Sequence, residues 1–317
     1  MVIGLIRSGR QIKNADDYYE TVVKFVQENI DENGRLHNAK STENSRIILA
    51  LTAMGKDVTN VANHNLLTGL NDMEYVRKQG INGPIWALIA LDSGNYSLPE
   101  GDVTREALIQ LILDAQLEDG GWALGGSVSD PDMTGMALQA LTTYYEKNAE
   151  VKKAVEEAIE MLSKMQGADG SFASIDGCSS ESIAQVVTAL SGLGIDVDRD
   201  SRFIKNGVSA LDALCTFYVE GGGFKHILDG KLDGMATEQS YYALTAYFRM
   251  QEGKTNLFDM TDVVEMGNDK VEEELIESVE TPTKDERRFL GMIVVVIVVL
   301  ASVIVVPVAV SKSKKHK

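Results

Sequence analysis

A chain of 317 residues with 44% apolar and 24% charged side chains is ordinary globular material, long enough for one large domain or two small ones. Its formal net charge of −17 argues against nucleic acid as a partner, because phosphate binding needs a basic footprint. Two cysteines, Cys178 and Cys215, cannot make a disulfide framework, and four scattered histidines offer no metal cluster.

In chain order, Met1 to Ile6 supplies too few apolar residues before Arg7 and Arg10 for a signal-peptide core. A pattern of roughly 50 residues then recurs up to Met260. Weak copies come first: Asn33 and Gly34 lead to Thr42, Glu43, Ala50 and Leu51, and Gln79 and Gly83 lead to Trp86, Ala90 and Leu91. The plainest copy runs from Ala107 to Trp122, followed by Asp132 to Leu141. Later copies carry Gln166, Gly170 and Phe172 before Ser180, Glu181 and Gln185, then Gly222 and Phe224 before Thr237, Glu238 and Gln239. Gly120, Gly170 and Gly222 stand 50 and 52 residues apart, the mark of a helical repeat array.

Each unit reads as two helices. Val155, Ile159, Leu162 and Met165 recur at helical spacing with charges between them, which predicts an outer helix with one wet face. Ile183 to Leu193 carries almost no charge and predicts an inner helix buried all round. Thr42-Glu43, Ser180-Glu181 and Thr237-Glu238 fit inner-helix starts, with a hydroxyl cap and an acid at the positive end of the dipole. Residues 3 to 9 read as the tail of an earlier inner helix.

The charge is unevenly spread. Up to Met260 there are 37 acids against 22 bases, Thr261 to Glu286 has 10 acids and two lysines, and the last 31 residues have six bases and no acid. The middle segment predicts an extended, self-repelling stalk over 261–288. Phe289 to Val310 is a run of 22 residues without a charge. At about 1.5 Å per residue it is long enough for a bilayer core, and it predicts a transmembrane helix with a basic tail at 311–317. The bilayer is therefore a predicted partner. Lys312, Lys314, Lys315 and Lys317 favour a cytoplasmic tail and a repeat domain outside the cell; a tail-anchored chain facing the cytosol is the alternative.

Gln116 to Trp122 resembles the Gln-x-x-x-Gly-x-Trp repeat of terpenoid cyclases and protein prenyltransferases, and Gln166 to Phe172 is a close variant. The resemblance implies an all-α fold, an α/α toroid of paired inner and outer helices, within residues 1–260. Asp130 through Leu141 also looks like bacterial surface proteins of this superfamily, some joined to domains similar to the vitamin B12 carriers intrinsic factor and transcobalamin. In the cyclases an Asp-x-Asp-Asp motif at an inner-helix start delivers a proton. Asp132 matches that donor, whereas Met133 replaces its companion carboxylate, and Asp130 and Asp132 also suit a helix cap. The prenyltransferases hold zinc with an Asp-x-Cys pair and a histidine. Asp176 and Cys178 match the first two ligands, and Gln239 stands at the third.

With both catalytic motifs incomplete, the sequence predicts a binding module with no cofactor, neither zinc nor cobalamin. Its mouth would present Trp122, Asp132, Glu181, Glu238, Gln239 and Tyr241 to a small molecule, glycan or peptide. Tyr241 and Tyr242 diverge by about 100° on a helix, so at most one faces the cavity. An isoprenoid cyclase or transferase and a corrinoid binder are the alternatives.

Overall fold

The computed structural model describes residues 2–10, 14–174 and 177–263, and over these the chain is mostly helical. The predicted transmembrane run, its basic tail and all but the first residues of the acidic stalk lie outside the described residues. Among the described residues no helix is long and apolar enough to cross a membrane.

Six helices form an inner set: α1 (Val2–Arg7), α3 (Thr42–Ala53), α5 (Asn82–Ser93), α7 (Pro131–Leu141), α9 (Ser180–Gly192) and α11 (Gly234–Gln251). Between them run α2 (Ala15–Asn29), the short α4 (Met73–Val76), α6 (Arg105–Asp114), α8 (Ala149–Met165) and α10 (Ala210–Cys215). Within the inner set α3 packs on α5, α5 on α7, α7 on α9, and α9 on α11. Helix α1 packs on both α11 and α3, so the contacts run in a closed cycle. The short N-terminal piece thus completes the inner set.

The two layers follow from composition. In α9 every residue from Ser180 to Ser191 is buried. In α8 only Val151, Ala154, Val155, Ala158, Ile159, Met161 and Leu162 are buried, one stripe of an otherwise charged helix. Gly135 of α7 lets the inner helices close up, since a Cβ there would lie 2.8 Å from the Gln185 carbonyl carbon of α9.

The repeated Gln-to-aromatic motif has a physical explanation. Gln116 Nε2 donates to its own turn at Gly120 O (2.7 Å) and to Ala154 O of α8 (2.9 Å). Gln166 does the same with Gly170 O (3.0 Å) and Phe203 O (2.9 Å). Each glutamine therefore ties its turn to the next outer segment. The turn glycines have φ of 95° and 80°, a conformation that costs other residues energy. Trp122 is fully buried and its indole N–H donates to Ile112 O at 2.6 Å.

Three details differ from the sequence reading. The hydroxyl cap of α9 is Ser179, which accepts from Ser182 N; α11 starts one turn early with Asp233 as its cap. Thr42 follows a cap residue, Ser41, that makes no side-chain cap bond. Thr237 instead fixes the preceding turn, its hydroxyl accepting from Phe224 N at 2.9 Å, as Thr134 does for Trp122 N. The connections also contain short antiparallel strands in two hairpins and one three-stranded sheet: β1 (Ala173–Ser174) with β2 (Gly177–Cys178), β3 (Ile204–Lys205) with β4 (Val208–Ser209), and β5 (Tyr218–Val219), β6 (Gly223–Lys225) and β7 (Leu232–Asp233). Finally, the folded unit runs past Met260, because Asp262 is held by Arg7 and Arg249.

Candidate functional site

The inner helices surround a cavity of about 330 Å³ to which all six contribute. Its geometry follows from helix starts that converge on one mouth. Thr42 and Glu43 open α3, Asn82 opens α5, and Met235 and Glu238 lie in the first two turns of α11. One turn deeper on the same faces come Arg46, Trp86, Gln239 and Tyr242, because residues four apart on a helix share a face. Met136 and Gln185 line the wall one turn below Asp132 and Glu181.

The far end is closed by the segment after α11. Phe258 lines the cavity and also a small void of about 10 Å³ beyond it, so its ring separates the two. It meets Trp86 edge-on, with centroids 5.9 Å apart and planes at 89°, and Tyr242 at 6.2 Å and 61°. Asn256 Oδ1 accepts from Phe258 N (3.0 Å) and Asp259 N (2.7 Å), which sets the tight turn carrying the plug. Beneath it, buried Arg7 donates to the Leu257, Asn256 and Asp259 carbonyls and pairs with Asp262. The cavity is therefore a blind cup.

A chain of amides crosses the wall. Gln139 Nε2 donates to Gln185 Oε1 (2.8 Å), and Gln185 Nε2 donates to Gln239 Oε1 (2.9 Å) and to the Tyr242 hydroxyl. The Tyr242 phenol is held far above its ordinary range, first by burial and then by Glu238, with Asp132 and Glu181 adding to the effect. Three carboxylates thus bear on one phenol oxygen.

At the mouth, burial pushes the Asp132 carboxyl up to about 6, and the neighbouring charge of Asp130 adds to the shift. The Ser182 hydroxyl, bonded to it, pulls the other way. Its Oδ1 is buried without a hydrogen-bond partner. Glu181 meets His226 Nδ1 at 2.9 Å, and this bond raises the His226 pKa. Glu43 pairs with Arg46 at 2.6 Å. The connections leading to α7 and α11 carry the exposed apolar residues Leu124, Val128, Ile227, Leu228 and Leu232, with Met235 at the cup entrance.

Of the residues singled out from sequence, Glu238 and Gln239 line the cup, and Asp132 and Glu181 lie a turn above its wall. Asp130 is the cap of α7, accepting from Met133 N at 3.0 Å. Trp122 lies in the packing between helices, not on the cup wall. Tyr241 is buried against Phe224, at 6.1 Å and 82°; of the adjacent pair it is Tyr242 that faces the cup. Trp86, Arg46, Met136 and Phe258 were missed. The first three stand four residues after Asn82, Thr42 and Asp132, one turn inward from each helix start, where the repeat could have located them. Phe258 follows the last repeat, where periodicity gives no signal.

Both cysteines are free thiols. Burial raises the Cys178 pKa, and takes that of Cys215 to about 11, so neither is an activated thiolate. Asp176 lies outside the described residues, and among the described residues no group of three His, Cys, Asp or Glu side chains is placed to hold a metal ion. No model of a known protein family and no curated protein matches the chain.

Proposed function

We propose that this chain is a binding module: an α/α toroid of the architecture of the terpenoid cyclases and prenyltransferases, displayed at a bacterial cell surface by an anchor at 289–310. The observation that carries the binding role is the blind cup, walled by all six inner helices and floored by Trp86, Tyr242 and Phe258. Its volume lies at the lower end of the range of small-molecule sites. A corrinoid macrocycle would not enter it whole, and a glycan or peptide would insert one group at most. Retention in the membrane fraction after alkaline extraction, lost when 289–310 is deleted, tests the anchor.

The cup is tested by thermal-shift screening of the full chain against small compounds of all charges. Hits should stabilise the protein, alter Trp86 emission and lose their effect in Met136→Trp, which fills the cup. Trp122, fully buried, supplies a constant background. A screen with no hits, or hits indifferent to Met136→Trp together with an unchanged Trp86 emission, sinks the reading.

One observation favours a second reading, an acid catalyst acting on an isoprenoid: Asp132 is close to half protonated at about pH 6 and has an unpartnered oxygen. Against it, the carboxylate that should hold the proton on is replaced by Met133, and Asp130 is engaged as a cap. Turnover of a polyprenyl alkene, abolished by Asp132→Asn, would decide for catalysis.

A further inference from the structure

The direction of the hydrogen bonds along the cup wall narrows the ligand. Gln139 Nε2 donates to the Gln185 backbone carbonyl at 3.1 Å, and a carbonyl can only accept, so the orientation of this first amide is fixed. The same nitrogen donates to Gln185 Oε1 at 2.8 Å. That leaves Gln185 Nε2 as the donor to Gln239 Oε1 at 2.9 Å and to the Tyr242 hydroxyl. Each amide thus sets the next, and the chain ends in protons: the Gln239 amide N–H groups and the Tyr242 O–H. Among the described residues nothing accepts from either.

Both residues line the cup, three apart on one face of α11. Their oxygens share one nitrogen, Gln185 Nε2, so the two unused donors stand side by side. A donor held away from bulk water without an acceptor is costly, and a bound acceptor recovers that loss. The phenol keeps its proton, because burial and Glu238 hold its pKa far above the ordinary range. Around the donors the lining is apolar, with Leu49, Trp86, Met136 and Phe258. Asn82 also lines the cup, but its Oδ1 is buried and offers the cavity no competing acceptor. Arg46 is paired with Glu43 at 2.6 Å, so an anion would have to displace that carboxylate. An ammonium group would bring further donors to a wall that already ends in donors.

We propose that the cup takes a small neutral molecule with an apolar body and one carbonyl oxygen: a ketone, ester or amide. Its oxygen, with two lone pairs, accepts from Gln239 Nε2 and from the Tyr242 hydroxyl. Its body rests on Trp86, Met136 and Phe258. The assignment rests on the cup being a ligand site.

The test uses the full chain in a non-ionic detergent, titrated with four probes of similar shape. These are cyclohexyl methyl ketone, the hydrocarbon isopropenylcyclohexane, cyclohexanecarboxylate and cyclohexylmethylamine, followed by calorimetry and Trp86 emission. The quantity read is the ketone-to-hydrocarbon affinity ratio, compared between variants so that partition into detergent cancels. Gln239→Met keeps the side-chain length and removes the donor, and the ratio should fall about tenfold, the size of one net hydrogen bond. Tyr242→Phe should lower it by a similar factor and leave the hydrocarbon unchanged. Gln239→Glu still accepts from Gln185 but turns an acceptor towards the cup, so it should lose the ketone and gain the amine. A ratio unchanged in both Gln239→Met and Tyr242→Phe, in a cup that binds the hydrocarbon, would overturn the carbonyl assignment and leave the cup as a ligand site. Tighter binding of the carboxylate or the amine than of the ketone by the wild type would do the same. No binding of any probe, in a protein whose Trp86 emission responds to other compounds, would overturn the assignment alone. If no compound of any charge reaches Trp86, the binding role falls with it.

Discussion

The cup has two ends, and both are built from ionisable groups, yet they are arranged in opposite ways. At the floor, Arg7 and Arg249 are buried together and share Asp262, and the remaining guanidinium protons go to carbonyls and to Thr255. Arg7 contacts residues about 250 positions away, so this cluster joins the two ends of the folded unit. At the mouth, by contrast, the Asp132 carboxyl is largely buried, with one oxygen left without a hydrogen-bond partner. Burial, with the charge of Asp130 adding to it, raises the Asp132 carboxyl, whereas the hydrogen bonds from Arg7 and Arg249 lower Asp262 against its own burial. The floor is organised for stability, and the mouth keeps a buried carboxyl at a cost.

The strongest way to break this contrast is at the floor. Arg7→Ala removes a buried guanidinium whose partners include three carbonyls and Asp262. Truncating one member of a buried, hydrogen-bonded charge cluster costs about 3–5 kcal/mol. Urea denaturation should show a loss of that order, together with altered Trp86 emission as the segment carrying Phe258 loosens. A loss below about 1 kcal/mol would mean that α1 and the C-terminal segment are held by apolar packing alone.

The mouth predicts the opposite sign. Asp132 has an ordinary pKa of 3.8 and about 6 in the fold. A raised carboxyl contributes stability that is present below about pH 4 and lost as the pH climbs through 6, because the folded state resists the charge. Two units correspond to almost 3 kcal/mol before relaxation, and roughly 1–2 kcal/mol is a fair expectation for a group with some access to water. Asp132→Asn should therefore stabilise the protein by about that amount at pH 7.5 and by nothing near pH 4. A pH-independent difference between variant and wild type would show that the buried charge of Asp132 is not what the mouth stores.

Much of this contrast was legible in the sequence at the mouth and little of it at the floor, for a physical reason. The mouth is made by helix starts, and helix starts are local: Glu238, Gln239, Asp132 and Glu181 follow from the repeat and its capping pattern. The capping residues were misplaced by one residue at Ser179 and by a turn at Asp233. In Thr134 and Thr237 the hydroxyl serves the preceding turn, and an upstream side chain takes the cap, a choice that a capping preference alone does not reveal. The floor depends on contacts across the whole chain. Arg7 looks like an ordinary polar residue near a terminus, and Asp262 looks like the first acid of a stalk. Only the closing of the cycle by α1 brings them together. Phe258 was invisible for the same reason, since its partners Trp86 and Tyr242 come from different repeats.

The smallest effect sharpens the comparison within the mouth itself. His226 is mostly exposed and is bonded to Glu181, which is buried; this bond, ahead of any other influence, raises its pKa. Its contribution is therefore present below its ordinary pKa of 6.5 and fades as the pH rises through the folded value. An exposed ion pair of this kind is worth well under 1 kcal/mol. His226→Gln should accordingly cost a few tenths of a kcal/mol at pH 5.5 and almost nothing at pH 8. That change has the same pH sense as the Asp132 effect, because both groups make the mouth less favourable as protons leave it. The two are separable by salt: raising ionic strength should erase the His226 term, which is screened by water, and leave most of the Asp132 term, which originates in burial. Should the His226 variant instead match Asp132→Asn in size and resist salt, the Glu181–His226 pair would be part of the buried wall and not an exposed ion pair.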